Sequence, residues 1–228
     1  MTFQTASLRT GEILSEAKSL VGPQYWVLFG ITAVGMLISS LVPFGILTGP
    51  MLCGIYLSMF AAMRGEAVPF DMLFKGFDHF VDSLVAVLII VGVMIAVMVP
   101  AYVLFFIGGF AMGMAESQGG GGAAPLLFVL ATLVIALLVT AIMVFVSLVT
   151  VFAFPLIVDR GLQGVPALKT SYRAVMANFG GMLVLVLVLG LMITVAALFC
   201  YIPAFFLMPL VFGSLAIAYR RIFGTAAL

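Results

Sequence analysis

The nine basic residues of this chain fall into four short clusters, and the stretches between those clusters are free of charge for long distances. The clusters are Arg9 with Lys18, Arg64 with Lys75, Arg160 with Lys169 and Arg173, and Arg220 with Arg221. The uncharged runs are Ser19–Met63, Ser83–Ala115, Ser117–Val158 and Ala174–Tyr219. A charge at the centre of a bilayer costs several kcal/mol, so charges gather at the ends of membrane spans. The pattern therefore predicts an all-α, polytopic membrane protein. A chain that is 65% hydrophobic and 7% charged leaves little scope for a soluble domain. It also offers no basic stripe for nucleic acid.

A span needs about 20 apolar residues to cross roughly 30 Å of hydrocarbon. Read this way, the chain holds six spans. Two lie in the first run, near Tyr25–Val42 and Ile46–Met63, separated by Val42-Pro43-Phe44-Gly45. The third covers Leu84–Gly109 with Pro100 inside it, and the fourth runs from Pro125 to about Ile157. That fourth run is too long to stand upright and must tilt, bend or project. The last two lie near Gly181–Cys200 and Ala204–Tyr219, split at Cys200-Tyr201-Ile202-Pro203. Six spans put every Lys and Arg on one side, which the positive-inside rule makes cytoplasmic, together with both termini. Glu12, Glu16, Arg9 and Lys18 precede any apolar run, so the start of the chain does not read as a cleavable signal peptide.

Three amphipathic segments precede the span pairs: Gly11–Leu20, Pro69–Val81 and Pro166–Asn178. In the second, helical spacing puts Phe70, Leu73, Phe74, Phe77 and Val81 on one face, with Asp71, Lys75, Asp78 and Asp82 on the other. In the third, Leu168, Tyr172, Val175 and Phe179 oppose Lys169 and Arg173. Such helices are expected to lie at the cytoplasmic interface. Each span pair also ends alike, at Met63-Arg64-Gly65, Asp159-Arg160-Gly161 and Arg220-Arg221-Ile222-Phe223-Gly224. Pro50-x-x-x-Gly54 in the second span matches Pro209-x-x-x-Gly213 in the sixth. Two readings stand: chance matches within a hydrophobic sequence, or three pseudo-repeats of one unit over residues 11–65, 66–161 and 164–224.

The stretches Phe154–Arg160, Ala167–Val175 with Asn178, and Ala218–Gly224 resemble a group of uncharacterised bacterial six-pass inner-membrane families, known as domains of unknown function. The group is similar to the membrane domain fused to some glycerophosphodiester phosphodiesterases. Gly49-Pro50-Met51, Met63–Glu66 and Leu73–Phe77 fit the same pattern. The resemblance covers most of the chain and implies a multi-pass protein of the bacterial inner membrane. It brings no established functional residues.

Residue chemistry argues against an enzyme. The single histidine, His79, lies on an amphipathic segment beside Asp78 and Asp82 and reads as a solvated polar-face residue. One histidine cannot build a haem-copper centre. An enzyme would need Asp71, Asp78, His79 or Asp82 to converge with Glu66 or Asp159 in one cytoplasmic pocket. Cys53 and Cys200 read as buried hydrophobes rather than a redox pair. Met112-x-Met114 beside Glu116 is a weak copper motif against a background of packing methionines. Gly119–Gly122 reads as a flexible linker. Catalytic, cofactor and metal assignments are therefore none.

Two functions remain. The leading expectation is a non-enzymatic accessory, scaffold or lipid-contacting membrane protein, with membrane lipids and a membrane protein complex as its partners. Arg160, Lys169, Arg173, Arg220 and Arg221 are the candidates for contact with anionic headgroups. The alternative is a small uncoupled permease or channel for a neutral or amphiphilic solute. Its path would be lined by Thr48, Tyr56, Ser58, Tyr102, Thr140, Ser147, Thr194 and Ser214, next to helix breaks at the prolines. Asn178 is the only Asn of the chain and reads as a cap or an interhelical hydrogen-bonding group.

Overall fold

A computed structural model describes residues 8–41, 45–117, 123–199 and 202–224. Side chains are described for all of these except Ala115, Glu116 and Ala124. The expected break at Val42-Pro43-Phe44, the Gly119–Gly122 tract and Cys200 lie outside the described residues. The described residues are helical and include no strand. They form α1 (Thr10–Val21), α2 (Tyr25–Leu41), α3 (Thr48–Met63), a 3-10 helix (Phe70–His79), α4 (Phe80–Ser117), α5 (Ala124–Thr150), α6 (Ala153–Arg160), α7 (Gly164–Ala177), α8 (Phe179–Leu198) and α9 (Ile202–Phe223). Within lipid every backbone polar group needs an internal partner, so runs this apolar resolve as helices. Pro50, Pro125, Pro155, Pro166 and Pro203 all fall in first turns, where no intrahelical bond is lost.

Among the described residues, five helical stretches are long and apolar enough to cross a membrane: Thr10–Leu41, Phe70–Met114, Pro125–Arg160, Phe179–Leu198 and Ile202–Phe223. The expected second span is the shorter helix α3, of 16 residues. Its length is about 24 Å at roughly 1.5 Å per residue. The long fourth run is interrupted, since α5 ends at Thr150 and α6 begins at Ala153. Ser171 of α7 fills that gap: its hydroxyl donates to the Val149 carbonyl at 2.7 Å and accepts from the Phe152 N–H at 3.1 Å. Two backbone groups freed by the break are thus partnered without water. Pro100 lies inside the continuous helix α4.

The chain divides into two compact units, one of residues 1–88 with 148–228 and the other of Ile89–Ser147. The first unit is built around α3, which is buried along nearly its whole length. α3 and α9 run parallel, with Tyr56 against Phe212 at 5.7 Å and Phe60 against Tyr219 at 5.6 Å between ring centroids. α6 joins their C-terminal ends through Phe152, whose ring meets Tyr219 and Phe223 at 5.9 Å each. All three of these helices end on a left-handed glycine: Gly65 at φ +74°, Gly161 at +59° and Gly224 at +74°. A side chain with a Cβ is strained in that conformation, so the glycine stops the helix.

Each amphipathic segment lies antiparallel against the end of a core helix. α1 runs along α9, with Glu12 and Glu16 at Arg221 and Ala17 and Val21 at Gly213. The 3-10 helix runs along α3, and here the sequence expectation of an α-helix over 69–81 is corrected. A 3-10 helix repeats every three residues, so Leu73 and Gly76 stack on one stripe and both are buried. The backbones meet almost directly: a Cβ on Gly54 would lie 1.9 Å from the Leu73 carbonyl oxygen, and one on Gly76 would lie 2.0 Å from that of Pro50.

α7 buries Gly164, Ala167, Ser171, Ala174 and Val175. Of the expected apolar face, Tyr172 and Phe179 are exposed, Leu168 is half-buried and Val175 is buried. In the 3-10 helix and α7, small residues such as Gly76 and Gly164 let backbones approach on the inner side, and the large side chains Phe70, Phe74, Phe77 and Tyr172 stay outside, whereas α1 buries Ile13 and Val21. Asn178 joins α7 to α8, its amide donating to the Ala174 carbonyl at 3.0 Å.

The second unit holds the greater parts of α4 and α5. Phe105 and Phe128 pack at 6.0 Å between centroids. Its outer surface is apolar, with Phe106, Phe110 and Leu137 largely exposed.

Candidate functional site

The C-terminal ends of α3 and α9, together with α1, surround an open cavity of about 600 Å³. α1 supplies Glu16, Ser19 and Leu20, and the turn that follows it supplies Pro23 and Gln24. α3 contributes Ala62 and Met63, with Gly65 just beyond it, and α9 contributes Ile217, Arg220 and Arg221. The lining mixes apolar with polar and charged side chains.

Hydrogen bonds fix the surroundings of the cavity. The Gln24 amide donates to the Glu66 carbonyl and accepts from the Val68 N–H, both at 2.8 Å, so the start of α2 is tied to the loop after α3. Arg64 clamps Glu66 through two hydrogen bonds of 2.6 and 3.0 Å. That pairing holds the Glu66 carboxyl below the usual carboxylate range and raises Arg64. Arg221 reaches Glu12 at 3.3 Å and also bonds Glu16. Hydrogen bonds from Arg9 and then Arg221 lower the pKa of Glu12.

Arg220 is different. It is half-buried and lines the cavity, and it makes no ion pair or side-chain hydrogen bond among the described residues. Of the charges on the wall, Glu16 offsets Arg221 and Arg220 is left over, a net of one positive charge.

The five headgroup candidates therefore separate. Arg220 and Arg221 share the cavity. Arg160 is occupied within the fold: it donates to the Phe223 carbonyl at 2.6 Å, lies 3.6 Å from Asp159 and sits over the Phe223 ring at 5.7 Å. Lys169 and Arg173 are exposed on α7.

The eight hydroxyl-bearing candidates for a solute path are not gathered around one cavity. Tyr56, Ser58 and Ser214 are buried in the core. Ser58, Thr194 and Ser214 donate to carbonyls four residues earlier, at Gly54, Gly190 and Leu210. Thr48 is half-buried at the start of α3, and Thr194 is exposed on α8. In the second unit Thr140 and Ser147 are exposed, and Tyr102 borders a groove of about 280 Å³ with Met98, Phe105, Thr132 and Ala136.

The acids of the 3-10 region do not line the cavity, nor does His79. Among the described residues no three His, Cys, Asp or Glu side chains form a metal-holding group. Glu12, Glu16, Ser19 and Gln24 belong to the site but were not among its sequence candidates. The i, i+4 spacing of Glu12 and Glu16 was a visible signal, and their partner on α9 was not. Comparison with family models, with curated proteins and with solved structures gives no match to this chain.

Proposed function

We propose that this chain is a non-enzymatic, six-span protein of the bacterial inner membrane, with both termini in the cytoplasm, that contacts lipid headgroups in an accessory or scaffolding role. One observation carries the reading: the outward sides of the 3-10 helix and α7 combine large apolar groups with cations. Phe70, Phe74, Phe77 and Tyr172 are exposed beside Lys75, Lys169 and Arg173, and Lys18 is exposed on α1. Aromatic rings next to cations suit the boundary between hydrocarbon and headgroups. Anionic lipids attract each such cation by about 1 kcal/mol.

The same reading makes α3 a span too, the second along the chain, which brings the count to six. Its parallel partner α9 is long enough to cross, and each helix carries arginine near an end marked by a left-handed glycine. The shared left-handed terminal glycines and the antiparallel amphipathic partners favour three pseudo-repeats over chance matches. The resemblance to uncharacterised six-pass families, including the domain fused to some glycerophosphodiester phosphodiesterases, is consistent with this and remains a proposal.

The test is purification from native membranes in a mild detergent, with bound lipids and proteins identified by mass spectrometry. Enriched anionic phospholipid is the expected result, and a stoichiometric protein would identify the complex that the chain assists. Recovery with neither, together with flux of an uncharged solute through reconstituted vesicles, would replace this reading with that of a permease or channel.

A further inference from the structure

We propose that the cavity between α1, α3 and α9 is a binding site for a phosphate-bearing amphiphile, with Arg220 as its anion contact; this rests on the lipid-contacting reading above. Three features of the site point there. The first is depth. Counted from the helix-ending glycines, Arg64 and Arg160 stand immediately before Gly65 and Gly161, whereas Arg220 stands four residues before Gly224. It is therefore set back from the helix end by about one turn, roughly 5 Å. An arginine that only marked the cytoplasmic end of the span could sit where Arg64 and Arg160 do.

The second is charge. Arg221 is engaged by Glu12 and Glu16, while Arg220 faces the cavity without a partner among the described residues. Its planar guanidinium suits two oxygens of one phosphate. The third is the apolar share of the lining. Leu20, Pro23, Met63 and Ile217 line the same cavity as that cation, as a ligand with a polar head and an apolar stem requires. A phospholipid meets this description, and so does the phosphate of a soluble phosphoglycerol.

The experiment uses the full-length protein in a zwitterionic detergent, titrated with phosphatidylglycerol, phosphatidylcholine or glycerol phosphate, with bound ligand counted by native mass spectrometry. Phosphatidylglycerol is expected to bind, and Arg220→Gln to weaken it at least about tenfold, as loss of a hydrogen bond to a charged group implies. Arg220→Lys should retain part of the binding. Ser19→Trp, an exposed position on the rim, should block it by volume alone while leaving every charge in place. Glycerol phosphate binding as well as the lipid, with the same sensitivity to Arg220→Gln, would assign the site to a soluble phosphate ester. Lipid binding unchanged by both Arg220→Gln and Ser19→Trp would overturn the site and leave the wider lipid-contacting reading standing. A wild-type protein with no preference for the anionic over the zwitterionic lipid would overturn both.

Discussion

The Tyr219 hydroxyl donates a 2.6 Å hydrogen bond to Asp159 Oδ2, linking α9 to the end of α6. Tyr219 is fully buried, and Asp159 also faces Arg160 at 3.6 Å. Tyr219→Phe keeps the ring against Phe60, Phe152 and Phe223 but strips the carboxylate of its donor. The expected cost is about 1–3 kcal/mol, the price of an unsatisfied buried acceptor. Asp159→Ala should cost about 3 kcal/mol, because it strands the hydroxyl and leaves Arg160 without its carboxylate. Thermal unfolding in detergent, followed by circular dichroism, measures both. Melting at the wild-type temperature would show that the link contributes no stability.

Gly54 and Gly76 form the closest backbone approach in the first unit. A methyl group on either would fall about 2 Å from a carbonyl oxygen of the other segment, and backbone cannot yield as a flexible side chain can. Gly76→Ala is expected to destabilise by about 3 kcal/mol, the upper part of the overpacking range, and to loosen the 3-10 helix from α3. Gly65→Ala meets no neighbouring atom, so its cost comes from the positive φ alone and should be smaller, about 1 kcal/mol. Equal melting temperatures for the two variants would contradict this ordering.

Ser171 serves two backbone groups at the break between α5 and α6. Ser171→Ala leaves the Phe152 N–H and the Val149 carbonyl without that hydroxyl, and a loss of about 1–3 kcal/mol is expected. Ser171→Cys retains a weak donor and acceptor at similar volume and should lose less. The order wild type, Cys, Ala in melting temperature is the outcome to check.

The helices were legible in the sequence because the bilayer imposes a simple rule on them. Charge-free runs bounded by Arg64, Arg160 and Arg220 locate α2, α3, α8 and α9 to within a few residues. The Pro50-x-x-x-Gly54 and Pro209-x-x-x-Gly213 matches also mark real packing surfaces, one for the 3-10 helix and one for α1. Periodicity gives the apolar face of each amphipathic segment but not the residues that pack against neighbouring helices, because those contacts rest on close backbone approaches at Gly54, Gly76 and Gly164, which carry no apolar signal. The candidate site was half legible. Arg220 and Arg221 stood out as cations. Nothing local tells that Glu12 and Glu16 meet Arg221 some 200 residues later while Arg220 stays open.

The link between α1 and α9 should respond to acid. Glu12 has a pKa below its ordinary value of 4.5, because its charged form is hydrogen-bonded by Arg9 and Arg221. A carboxyl depressed in the folded state contributes stability that is fully present above its unfolded value and is lost as pH falls through its folded value. The attachment of α1 is therefore expected to be constant from neutral pH down to about 5 and to weaken below 4.5. Hydrogen exchange of the α1 amides, compared between wild type and the Glu12→Gln, Glu16→Gln double variant at each pH, separates this from the intrinsic pH dependence of exchange. The wild type should be the better protected at pH 7, and the difference should shrink as pH falls below 4.5. The same variant frees Arg221 from both glutamates and leaves the cavity wall with two cations and no acid. If Arg220 is an anion contact, affinity for phosphatidylglycerol should rise in the double variant at pH 7. A fall would mean that the glutamates hold α1 in the position that forms the cavity, and that losing this position outweighs the added charge.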